Sequence, residues 1–240
     1  IKPIVVYVVL ALLGLALVIA NIHNTSKQQA HLQNVKSAIP YATTPKTTTS
    51  STSSSSDEEL ILNPIIDLSG WQLPQDIDYD VLSNHISGAI VRVFGGSQIS
   101  KDSNAASSNG IDKSFKTHIK ELKKRDVPVA VYSYAQGTSV KEMKEEARIF
   151  YKNASPYKPT YYWIDVEEET MSNMEQGVQA FLAELKRLGA EKVGLYIGAY
   201  FMLEQEVSTK NFDAVWIPAY GTDSGYYEAL PNTEIDYDLH

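Results

Sequence analysis

Tyr161-Tyr162-Trp163-Ile164-Asp165-Val166-Glu167 is a hydrophobic run that ends in two acids spaced two residues apart. Side chains alternate between faces along a strand, so Asp165 and Glu167 point one way while Ile164 and Val166 point the other. Two carboxylates at the end of a buried strand are costly to desolvate, and proton chemistry is a reason to carry that cost.

Outward from this run the chain alternates short apolar stretches with amphipathic ones, the texture of β/α units. Strands are expected at 65–68, 89–94, 127–134, 160–166, 192–197 and 214–218, with helices at 114–125, 140–152 and 173–188. Ser172 with Glu175 reads as a capping box for the last helix, and Gly189 as its stop. Val129-Ala130-Val131-Tyr132 is apolar on both faces, as a parallel sheet with covered faces requires. The expected fold is α/β, an irregular (β/α) TIM-like barrel; an open doubly wound sheet is the alternative.

In such barrels the chemistry gathers where strands end and loops begin. Asp67 closes the first strand there, and Asp165 and Glu167 close the fourth, so all three should meet at one mouth. Glu168 faces away from the pair, and Glu169 reads as helix-start charge. Tyr134, Tyr196, Trp216 and Tyr220 lie at or near strand ends and are candidate stacking surfaces, with core filling as the competing role. Arg92, in an apolar strand, is expected to pair with a barrel carboxylate behind the acids, and Gln72 is a second supporting residue. Gly194 and Gly198, around Tyr196, read as ordinary glycines.

Asp67-Leu68-Ser69-Gly70-Trp71-Gln72, Ala89-Ile90-Val91-Arg92, Val129 to Tyr134, Trp163 to Glu167 and Ala214 to Tyr220 follow in an order that resembles the family 25 glycoside hydrolases. The resemblance covers about residues 62–240 and rests on the Asp-x-Ser-x-x-Gln opening together with the later Asp-x-Glu. It implies a lysozyme-type N-acetylmuramidase that cuts the β-1,4 bond between N-acetylmuramic acid and N-acetylglucosamine in bacterial peptidoglycan, with retention. It also implies Glu167 as acid/base, Asp165 as the assisting acid and Asp67 as the acid on the first strand. A raised carboxyl pKa suits Glu167 to donate a proton near neutral pH while Asp165 stays ionised. The nucleophile is left open between a carboxylate roughly 5 to 5.5 Å away and the substrate's 2-acetamido oxygen.

Two other functions fit parts of the pattern. A chitinase-type barrel wants Asp-x-Asp-x-Glu, and Trp163 stands where its first Asp should be. A non-catalytic cell-wall-binding barrel tethered to the membrane is the alternative, although it has no need of three acids. Family members continue past a strand like Tyr237-Asp238-Leu239-His240 into a Gln-Tyr run and a Val-Asp-x-Asn segment. The chain stops at His240, so the barrel is expected to be incomplete at that end; Asp236 and Asp238 precede the landmark and do not take the missing role.

The N-terminal quarter has a different composition. Residues 4–20 are uncharged, with Lys2 before them, which reads as a transmembrane signal anchor within residues 1–22; a cleaved signal peptide is the competing reading. Either places the remainder outside the membrane, in the zone of the cell wall. Residues 23–60 form a polar linker in which, from Thr43 to Ser56, only Pro45 and Lys46 are not Ser or Thr, a composition expected to be disordered. The barrel is assigned to residues 61–240, which carry 17 Lys and Arg against 26 Asp and Glu; that net charge of −9 argues against a nucleic-acid partner. The chain has no cysteine, which removes disulfides and thiolate chemistry, and His23, His31, His85, His118 and His240 have no ligand spacing, so neither metal nor cofactor is expected.

Overall fold

A computed structural model describes residues 63–222 and 230–240. The expected anchor, linker and Ser/Thr stalk lie outside the described residues, as do the boundaries assigned to them. Among the described residues no helix is long and apolar enough to cross a membrane.

Six strands form one parallel sheet in sequence order: β1 (Ile65–Leu68), β2 (Gly88–Phe94), β3 (Val129–Tyr134), β4 (Tyr162–Val166), β5 (Val193–Ile197) and β6 (Ala214–Trp216). The sheet curls into a half-barrel, and a seventh strand position begins at the parallel bridge between Trp216 and Leu239. The helices are α1 (Tyr79–Ser83), α2 (Phe115–Lys123), α3 (Val140–Ala154), α4 (Met174–Leu188) and α5 (Ala199–Glu204). This order rules out the open doubly wound alternative, whose strand order would reverse.

Alternation along each strand sorts the side chains into two layers. Val91, Val93, Val129, Val131, Ile164, Val166, Val193, Leu195 and Ile197 face outward into the main core, where Met143, Ala147 and Phe150 of α3 and Val178, Phe181 and Leu185 of α4 cover them. Ile90, Ala130, Trp163 and Ala214 face inward, together with Tyr132, Tyr161 and Trp216. Because the outer face takes Ile164 and Val166, the inner face must take Asp165 and Glu167.

Several local expectations shift. β3 starts two residues late: the Val127 amide still bonds the Leu122 carbonyl at the end of α2 (3.2 Å), and Pro128 has no N–H to give. The cap of α4 is Asn173, whose side chain accepts from the Gln176 amide at 2.9 Å, not Ser172. Glu175 instead accepts from the Ser208 amide (2.9 Å). Gly189 does end α4, in the left-handed region at φ 107°. Helices α1 and α5 are too short to leave a periodic signal and were not anticipated.

Gly194 is not an ordinary glycine. It is the register neighbour of Trp163, and a Cβ on it would lie 2.4 Å from Trp163 Cε3 and Cζ3. The indole therefore lies flat across β5 only because position 194 has no side chain. Gly194→Ala is expected to destabilise the fold by about 1–3 kcal/mol through overpacking, read by denaturant unfolding; an unchanged midpoint would show that Trp163 is not held there.

Candidate active site

The inward-facing residues at the C-terminal ends of the strands surround an open cavity of about 250 Å³. Asp67, Asp165 and Glu167 line it together with Tyr132, Trp163, Tyr196, Trp216 and Tyr220. Tyr134, Asp165, Tyr196 and Trp216 occupy one register row across β3 to β6, and Arg92, Tyr132, Trp163, Gly194 and Ala214 occupy the row beneath.

Asp165 is 7% exposed, and its Oδ1 has no hydrogen-bond partner. Burial pushes its carboxyl well above the ordinary aspartate range, reinforced by the charge of Glu167, by a hydrogen bond to that side chain and by Asp67; Arg92 opposes the shift. Glu167, at the open side of the cavity, is also raised, first by partial burial and then by the Glu168 charge, while its hydrogen bond with Asp165 lowers it. Asp67 stands on the exposed edge strand, and desolvation by the cavity wall raises it against its own backbone amide and Arg92. Asp165 is buried and Glu167 exposed, so desolvation acts harder on Asp165 and works against the expectation that it is the member that stays ionised. The negative charge of Glu167, on the same face two residues along, opposes ionisation of Asp165.

The aromatic candidates divide. The Tyr196 and Tyr220 hydroxyls are 2.6 Å apart, Trp216 packs edge-on to Tyr196 at 4.7 Å between ring centroids, and Tyr220 is 72% exposed. These three belong to the cavity. Tyr134 is not among its lining residues: its hydroxyl donates to Glu168 Oε1 at 2.9 Å, so Glu168 is engaged beside the pair rather than merely facing away.

Arg92 pairs with a carboxylate as expected, whereas Gln72 supports a turn and not the cavity. Arg92 Nε bonds Asp112 Oδ2 at 3.0 Å, so its partner is a loop acid and none of the three strand-end carboxyls. Gln72 is exposed and lies outside the cavity; its Oε1 accepts from the Ser69 amide at 2.9 Å and closes a turn. Sequence reasoning missed Asp112, which is 2% exposed and accepts from Gly70 N (2.7 Å), Ser114 N (2.8 Å) and Phe115 N (3.1 Å). Its position just before a predicted helix was a capping signal that could have found it. Tyr132 and Trp163 were also missed as cavity walls, although period-two alternation from Tyr134 and Asp165 leads to both. Among the described residues no group of three or more His, Asp or Glu is arranged to hold a metal ion.

The parallel half-barrel thus carries three carboxyls among aromatic rings at the C-terminal ends of its strands. Residues 66–235 match the model of glycosyl hydrolases family 25, and the chain belongs to that family. Among solved structures it is similar to a glycosyl hydrolase 25 of Streptococcus pneumoniae, described as the virulence factor GHIP participating in host cell invasion, with 56% identity, 74% of this chain and 78% of that one covered, and a TM-score of 0.72. It is also similar to the catalytic domain of endolysin ply40 from bacteriophage P40 of Listeria monocytogenes, at 26% identity, 72% and 81% coverage and a TM-score of 0.61. The CTP1L endolysin, at 19% identity and a TM-score of 0.54 over 72% of this chain and 56% of that one, shares the fold. No curated protein sequence matches.

A carboxyl raised in the folded state binds its proton more tightly there than in the unfolded chain. Its contribution is present below the ordinary carboxylate pKa and is lost as pH rises through the raised value. Asp165→Asn removes that loss. The variant should unfold at a higher temperature than the parent near pH 8, with the gap closing towards about pH 4, as followed by thermal melts. An Asn variant less stable than the parent at the higher pH would contradict the burial argument.

Proposed function

We propose that the chain hydrolyses the β-1,4 bond between N-acetylmuramic acid and N-acetylglucosamine in peptidoglycan, with retention of configuration. The observation that carries this reading is the placement of Asp165 and Glu167 on one face at the end of β4, the first buried and the second at the open side of an aromatic-lined cavity. An endolysin among the similar structures supports the peptidoglycan substrate class.

Glu167 is the member a glycosidic oxygen can reach, and it delivers the proton that the pair retains. Asp165, desolvated and bonded to Glu167, is poorly suited to attack an anomeric carbon. That favours the substrate's own 2-acetamido oxygen as nucleophile, with Asp165 orienting the acetamido group and Asp67 adding negative charge across the cavity from the developing oxocarbenium ion. Glu167 then takes a proton from the water that opens the intermediate. Tyr220, with Tyr196 and Trp216 behind it, offers a flat wall for a sugar ring. The uncharged residues 4–20 would tether the hydrolase outside the membrane, within reach of the wall.

The test is digestion of purified peptidoglycan with product sugars identified by mass. Muramic acid at the new reducing ends is expected; glucosamine there would reassign the bond, and no release would favour a wall-binding role. Glu167→Gln keeps the shape and loses the proton, and should lower the rate by about 100- to 10,000-fold. Residual activity above roughly a tenth of the parent would make another residue the acid.

A further inference from the structure

The chain has three tryptophans, and two of them, Trp163 and Trp216, line the cavity. The third, Trp71, is 63% exposed. A single exposed apolar ring is ordinary on a protein surface. The mount that holds this one is not.

Ser69, Gly70, Trp71 and Gln72 form a turn that follows β1 directly. The Gln72 amide donates to the Ser69 carbonyl at 3.1 Å. Gln72 Oε1 accepts from the Ser69 amide at 2.9 Å and from Ser69 Oγ at 3.2 Å, and the Trp71 amide donates to Ser69 Oγ at 3.3 Å. Two buried side chains fix the turn from outside. The Gly70 amide donates to Asp112 Oδ2 at 2.7 Å, and His118 Nε2 meets the Ser69 carbonyl at 3.1 Å. Tyr79 Oη lies 2.6 Å from His118 Nδ1; burial lowers the imidazole pKa, and a neutral ring that donates from Nε2 to Ser69 accepts at Nδ1 from Tyr79. Gly70 leaves no slack, because a Cβ there would lie 2.1 Å from the Ala105 carbonyl oxygen. The turn is held by its own hydrogen bonds and by Asp112 and His118, and it leaves the Trp71 indole exposed.

The turn also belongs to the catalytic end of the sheet. It is the direct continuation of the strand that carries Asp67, and the Asp112 oxygen that holds Gly70 also holds Arg92 Nε at 3.0 Å. The cavity, at about 250 Å³, is below the roughly 300 Å³ of the smallest pockets that enclose a drug-sized ligand. A polymer cleaved there must run out over the flanking surface, and Trp71 stands exposed on the turn that leaves the strand end of Asp67.

We propose that Trp71 is a sugar-stacking platform outside the cleavage cavity, which grips the glycan strand beyond the sugars being cut. This rests on the reading of the chain as a glycan hydrolase. The indole face fits the apolar face of a pyranose, and a rigid mount means that little ordering entropy is lost on binding.

The experiment compares the full chain with Trp71→Ala and Trp71→Phe on two probes: long glycan strands stripped of stem peptides, and a tetrasaccharide of the same repeat. Trp71→Ala should raise KM on long strands about fivefold with kcat unchanged, leave the tetrasaccharide rates and the thermal midpoint where they were, and be largely rescued by Phe. Equal kinetics on long strands, or an equal loss on both probes, would overturn the inference. So would a loss seen only when stem peptides are present, which would make the occupant a peptide. If the parent cleaves neither probe, the hydrolytic reading falls by itself, and equilibrium binding of long strands to the parent and to Trp71→Ala still decides the platform.

Discussion

Burial of the Asp165 carboxyl beside Glu167 is the constraint from which the rest of the site follows. A strand places residues two apart on one face, and here the outer face is claimed by Ile164 and Val166, both fully buried against the helices. Their burial, worth roughly 1.5–3 kcal/mol for each such side chain, leaves the carboxylates no choice of side. Asp165 is then enclosed with one oxygen unpartnered, and a shared proton is the least costly way to keep two acids together.

A second buried acid shows what makes this one different. Glu146, on α3, is 1% exposed, and burial raises its carboxyl too. Its oxygens, however, accept from the Ser97 amide at 2.8 Å and the Gln136 amide at 3.0 Å, binding the loops after β2 and β3 to the helix. Asp112 is satisfied in the same way by three amides and a guanidinium. Both are struts. Asp165 has the burial without the donors, so its energy stays in its protonation state, where chemistry can use it.

The fold was legible because the strong signals are local. The outward-facing Val, Ile and Leu of β2 to β5 announce a covered parallel sheet, and the Asp-x-Glu run places two acids on one face without any knowledge of neighbours. Residues that act at a distance left no such trace. Arg92 was readable as a charged residue in need of a partner, but that partner, Asp112, is set by a loop whose path is not periodic. Gly194 looks like any glycine until the Trp163 ring is laid across it. Tyr134 has the right face and register, yet Glu168 takes its hydroxyl. The burial of Asp165 was not legible, because the sequence shows the spacing of charges and not how deeply each is enclosed.

The most direct test of the shared-proton account is a carbon-13 NMR titration of the side-chain carboxyls, assigned through Asp165→Asn and Glu167→Gln. The account predicts that the Asp165 and Glu167 resonances move together in two steps, with the later step well above the ordinary carboxylate range of about 4. Two independent single-step curves near that value would contradict it.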